Sequence, residues 1–289
     1  MNPGTREPGT LADLLLGLRH SDRAVVFPEQ DETVPHREIP DRAVGLAGRL
    51  ADAGVAPGDL IGLMVPTSPQ FLPAFFAPSL LGAAVTALPL PPLVLDPTAT
   101  ARALLPTLER AGIRYLLACG AGATVAAQLA QERKGLRVVA AASAAVSGRL
   151  SAVRPAPDAP AVVQYSSGST AQPKGVMLTH GAVMAGVSAI TRHIRAGSDD
   201  VLVSWAPLFH DMGLIALLCS LLAPGDAHLF SPMAFLRRPG VLLERLAEVG
   251  GTITIGPDFS YGLLAAAADK VFPRPTGGSG IPWPAGGWH

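Results

Sequence analysis

At 289 residues the chain is long enough for a substantial core and for one or two domains. Hydrophobic residues make up 49% of it against 15% charged, and formal net charge is zero, which excludes a disordered chain and gives no basis for a nucleic-acid or anionic-membrane partner. Its two cysteines, Cys119 and Cys219, sit far apart in apolar runs and read as buried free thiols, with no metal-ligand spacing.

The first apolar run, in MNPGTREPGTLADLLLGLRH, is interrupted by Asp13 and followed by no small-residue cleavage site. It is read as no secretion signal, and a cytoplasmic location is expected. Residues 39–53 place Ile39, Ala43, Leu46, Ala47 and Leu50 at helical spacing, with Gly54 available to end the helix. A buried strand is expected over 59–65. Ser68 and Pro69 then supply a cap and a first-turn proline for a helix running toward Leu81, distorted by Pro73 and Pro78. From 60 to 95 no side chain is charged, a stretch long enough to span a bilayer. PTSP at 66–69 and ALPLPPL at 87–93 divide it into strand, helix and strand, so the expectation is buried parallel sheet with no membrane span.

Further along, the pattern predicts a strand over 85–88, a helix over 98–110 kinked at Pro106, a strand over 114–117, a helix over 123–131 and a strand over 136–139. The proline-rich 154–160 is expected to connect a lobe of about 10–153 to one of about 161–270. In the second lobe strands are predicted over 162–165, 201–204, 227–230 and 252–255. Helices are predicted over 180–191, opened after Thr179, and over 212–222 and 241–249. The Gly/Pro-rich tail 271–289 suits neither a helix nor an interior strand. This alternation points to an α/β fold of layered parallel-type sheets with helices on both faces.

One loop carries chemistry. The strand VVQY runs into SSGSTAQPKG, placing backbone N–H groups, four hydroxyls and one ammonium at the carboxyl end of a sheet, where open α/β folds bind ligands. Glycine lets the backbone approach an oxyanion closely. Ser166, Ser167, Ser169 and Thr170 can donate hydrogen bonds beside Gly168, and Lys174, followed by Gly175, adds positive charge. The ligand this chemistry suits is phosphate. The spacing is not that of a Walker loop, because Pro173 precedes the lysine and Gly175 follows it. A flexible surface turn is the plainer alternative.

YSSGSTAQPKGVMLTH resembles the phosphate-loop signature of the adenylate-forming (AMP-binding) enzymes, which include acyl-CoA synthetases and peptide-synthetase adenylation domains. WAPLFHDMGLI at 205–215, the run 230–264 and the run 54–93 are similar to the fatty acyl-AMP ligase branch, so the resemblance covers about 10–270. It implies ATP-dependent activation of a fatty or other carboxylic acid as an acyl-adenylate, with pyrophosphate released, Mg²⁺ bridging the phosphates, and coenzyme A or an acyl-carrier protein as possible acceptor. By position in the motif, His210 would lie beside the acyl-adenylate, although a lone histidine is more often structural. Asp211 is read as a helix cap. Gly256 and Pro257 would line the acyl tunnel, and Phe259 would join the core. Asp258 stands where this branch carries asparagine, and a carboxylate there would repel an anionic substrate.

The same resemblance places an adenine site, a metal-associated glutamate, a ribose-binding aspartate and a C-terminal domain with a catalytic lysine beyond residue 270. None of these motifs is found there. Two expectations remain: the N-terminal part of an acid ligase, impaired as it stands, or a non-catalytic remnant acting as a phosphate/acyl-binding or interaction module.

Overall fold

A computed structural model describes residues 7–91, 95–142, 153–166 and 174–272, with only the backbone of Ser166. Ten strands run in chain order as β1 (Ala24–Phe27), β2 (Glu32–Pro35), β3 (Leu60–Met64), β4 (Ala84–Ala87), β5 (Tyr115–Ala118), β6 (Arg137–Ala140), β7 (Pro160–Ser166), β8 (Lys174–Thr179), β9 (Val201–Ser204) and β10 (Asp226–Leu229) among the described residues. The α-helices among the described residues are α1 (Leu11–Gly17), α2 (Ile39–Asp52), α3 (Phe71–Phe76), α4 (Pro97–Arg110), α5 (Gly120–Glu132), α6 (His180–His193), α7 (Asp211–Leu222), α8 (Pro232–Arg237), α9 (Gly240–Val249) and α10 (Asp258–Val271).

These strands form two sheets, β6-β5-β3-β4-β7-β8 and β2-β1-β10-β9. Pairing is parallel except for β1 with β2 and β7 with β8. Apolar faces on both sides of each sheet dictate the layers. Ile61 and Leu63 of β3 share one core with Val25 and Ala227 of the smaller sheet and with α1, α2, α3, α6 and α7. Met64, next along β3, instead joins α4 and α5 on the outer face. Val203 and Trp205 likewise pack outward against Phe235 of α8, Leu242 of α9 and Leu264 of α10. The uncharged stretch from 60 onward is thus buried sheet and helix, and no helix among the described residues is long and apolar enough to cross a membrane.

Local signals explain most element boundaries. The five expected apolar positions of α2 are all buried. Asp96 caps α4 by accepting from Ala99 N at 3.0 Å, and the helix continues through Pro106. Thr179 caps α6 by accepting from Ala182 N at 3.1 Å. Ser68 does not cap α3: its hydroxyl donates to Pro66 O, and the helix opens only at Phe71. Pro78 removes a donor, and the chain there tightens into a 3₁₀ turn over Ala77–Leu81 that ends at Gly82, in the left-handed region at φ +70°. The strand expected over 252–255 reduces to one bridge, Ile253 beside Leu202.

The segment 154–160 does not separate two sheets. β7 and β8, which follow it, complete the larger sheet, while β1 and β2 from the amino-terminal part join β9 and β10. Both sheets therefore draw strands from either side of it.

Candidate active site

Contacts among the described residues bring β7 beside residues 205–210, between β9 and α7, and those residues beside the 254–257 turn before α10. The β7–β8 hairpin closes at Ser166 and Lys174, which are cross-strand partners, and Tyr165 faces Gly175 one step inward. Ser167, Gly168, Ser169 and Thr170 lie outside the described residues. Lys174 and Gly175, expected within the loop, instead begin the antiparallel edge strand β8.

Cross-strand partners share a face and faces alternate along a strand. Gln164, Val176 and Lys174 therefore lie on one face of the hairpin, and Val163, Tyr165 and Gly175 on the other. A β-carbon at Gly175 would come within 3.1 Å of both Tyr165 Cε1 and Val163 Cγ1, so glycine lets these side chains lie against the strand. Burial pushes the Tyr165 phenol up, against the pull of the Arg110 charge.

Across from the hairpin stands the connection to α7. Gln164 Nε2 donates to the Phe209 carbonyl at 2.8 Å, so the hairpin face that carries Lys174 is tied to the residue before His210. His210 is the N-cap of α7, and its side chain is about 60% exposed. Its Nδ1 lies 2.6 Å from Asp211 Oδ1 and 3.3 Å from Met212 N, so it donates to the carboxylate when protonated there and accepts from the amide when not. Asp211, expected to cap the helix, is instead its first residue: it accepts from Met212 N at 2.7 Å, but the cap position belongs to His210. Gly213 is needed for close approach: a β-carbon there would sit 2.4 Å from Pro207 O.

Gly256 lies against Trp205, and Pro257 is the N-cap of α10. A β-carbon on Gly256 would lie 2.3 Å from Ser260 Oγ and 3.4 Å from Trp205 Nε1, so glycine here serves packing of α10 against the 205–210 connection. Trp205 stacks on Phe235 with ring centroids 4.0 Å apart and meets the edge of Phe259 at 5.9 Å. Phe259 is not a core residue: it is 56% exposed, because Ser260 and Leu264 are the buried positions of α10. The Trp205 indole N–H is buried without an acceptor among the described residues. No group of three or more His, Cys, Asp or Glu converges to hold a metal among those residues.

Comparison with protein families matches residues 18–273 to the AMP-binding enzyme family. The chain belongs to that family. A long-chain-fatty-acid–AMP ligase, FadD32 of Mycobacterium marinum, is 31% identical over 234 residues, which cover 76% of this chain and 36% of the relative. Among solved structures, one from a study of fatty acyl-adenylate ligases of E. coli and L. pneumophila superposes with TM-score 0.78 at 28% identity, covering 88% of this chain and 47% of that one. An adenylation domain of a keto acid-selecting peptide-synthetase module, bound to keto acyl adenylate, reaches TM-score 0.83 over 92% of this chain and 49% of its own length. At 20% identity this last likeness speaks to the fold alone. The chain thus spans less than half the length of these AMP-binding relatives.

Sequence reasoning missed Gln164 and Trp205. Both act through contacts between segments more than forty positions apart, and no spacing signal announces such contacts.

Proposed function

We propose that this chain supplies the phosphate-binding and carboxylate-facing part of an ATP-dependent, acyl-adenylate-forming site. The observation that carries the reading is the hairpin bearing YSSGSTAQPKG, whose Lys174 face is tied to the residue before His210, within a chain of the AMP-binding family. In the proposed reaction a carboxylate oxygen of the acid bonds the α-phosphorus of ATP. The bond from that phosphorus to the bridging oxygen breaks, and pyrophosphate leaves with the electron pair. The substrate is already an anion, so no side-chain nucleophile is required, and the work of the protein is alignment and neutralisation of charge.

In this scheme Lys174 and the hydroxyl-rich loop hold the β- and γ-phosphates. His210 lies beside the mixed anhydride, and the 256–257 turn borders the acyl chain. Relatives named as fatty-acid–AMP ligases support a fatty or other carboxylic acid as substrate. The acceptor of the activated acyl group would be a thiol, on coenzyme A or on a carrier protein.

The test is fatty-acid-dependent exchange of pyrophosphate into ATP, run on this chain and on the chain joined to the further half that its relatives carry. The reading expects exchange in the joined protein, reduced about a hundredfold or more by Lys174→Ala. Exchange indifferent to that substitution would sink it. Pyrophosphate binding with no exchange in either form would favour the second reading, a phosphate-binding module.

A further inference from the structure

We infer that Gln164 is a positioning residue: it straps the phosphate hairpin to the 205–210 connection, so that phosphate bound on one is registered by His210 on the other. The inference rests on the phosphate reading of the hairpin and goes beyond it. β7 is registered against β4 at a single position, Val85 with Val162. From Val163 outward the hairpin is held by its own ladder with β8, which is the edge of the sheet. A two-stranded ribbon is marginal by itself in water, so its angle to the rest of the site depends on side-chain ties.

Gln164 Nε2 to Phe209 O, at 2.8 Å and half-buried, is such a tie, and it spans 45 positions. Its anchor is firm. His210 N donates to Pro207 O at 3.1 Å, Leu214 N donates to His210 O at 3.0 Å, and Gly213 lets the first turn of α7 press on the backbone of 206–207. One end of the strap is therefore a rigid turn and the other the outer end of an edge hairpin whose inner part is packed on β4 and α6. A shift of the ribbon moves Lys174, which shares the Gln164 face, relative to His210.

The test needs no turnover. Inorganic pyrophosphate is titrated into wild type, Gln164→Leu and Gln164→Met, both neutral and without a donor, with affinity read by calorimetry. The His210 imidazole is followed by NMR, its signal assigned by loss in His210→Ala. The expected result is that pyrophosphate shifts the His210 signal in wild type. Both Gln164 variants should bind pyrophosphate within about threefold of wild type while the His210 shift falls to a small fraction. If His210 still responds fully in the variants, the effect is direct electrostatics through space and the strap is refuted. Loss of binding together with a large fall in melting temperature in both variants would make Gln164 merely structural, which also overturns the inference. Failure of wild type to bind pyrophosphate overturns the phosphate reading itself, and the strap with it.

Discussion

His36 shows how burial at one residue becomes a pH dependence of the whole fold. It is fully buried, with Nδ1 2.9 Å from Ser21 Oγ and the other ring nitrogen unpartnered among the described residues. Burial pushes its pKa from 6.5 down to about 4; the Asp226 charge pulls it up and the Arg23 charge pushes it further down. A folded pKa below the unfolded one means that the unfolded chain binds the extra proton first. Stability is present in full above 6.5 and is lost as pH falls toward 4, by about 3 kcal/mol from this group. Urea unfolding at pH 7.5 and pH 4.5 should show that loss, and His36→Gln should shrink it; an unchanged difference would contradict the assignment. Gly213→Ala tests a steric claim. The added carbon would lie 2.4 Å from Pro207 O and 2.7 Å from Ala206 O, both backbone atoms, so about 1 to 3 kcal/mol of stability should be lost. An unchanged thermal midpoint would show that the 205–210 connection yields freely.

Among the described strands, β8 is largely exposed to solvent. It is an edge strand with Val176 51% and Met177 64% exposed, a surface that invites pairing with another chain. Sedimentation should show self-association that Val176→Lys with Met177→Lys reduces, at a cost in folding stability within about 0.5 kcal/mol. An identical sedimentation profile for both proteins would exclude this edge. β8 is also the element that the sequence hid best, since KGVMLT follows directly on the loop signature and reads as its continuation. β1 and β2, four residues each and flanked by polar turns, gave too short a pattern to separate from loop. The long amphipathic α2, the capped α4 and α6 and the buried central strands were legible because caps and period act within one segment. Phe259 failed for the opposite reason: its hydrophobicity suggested burial, but the side of α10 that faces the Trp205 cluster is set by tertiary packing. The candidate site was legible as motifs, while the hydrogen bond from Gln164 and the contact of Gly256 with Trp205 exist only once the segments meet.

At the scale of the molecule, the two sheets interleave strands from both ends of the chain around one shared helical core, so the site's segments hang from a common frame. That frame matches AMP-binding relatives of which this chain covers less than half. In the proposed function the hairpin binds the phosphates of ATP through a charge-assisted contact from Lys174. Calorimetric titration of pyrophosphate into wild type and Lys174→Ala tests it most directly. The account predicts binding in wild type and a loss of about 1.5 to 3 kcal/mol in the variant, roughly tenfold to more than a hundredfold in affinity. Equal affinity in the two proteins, or no binding in either, would contradict it.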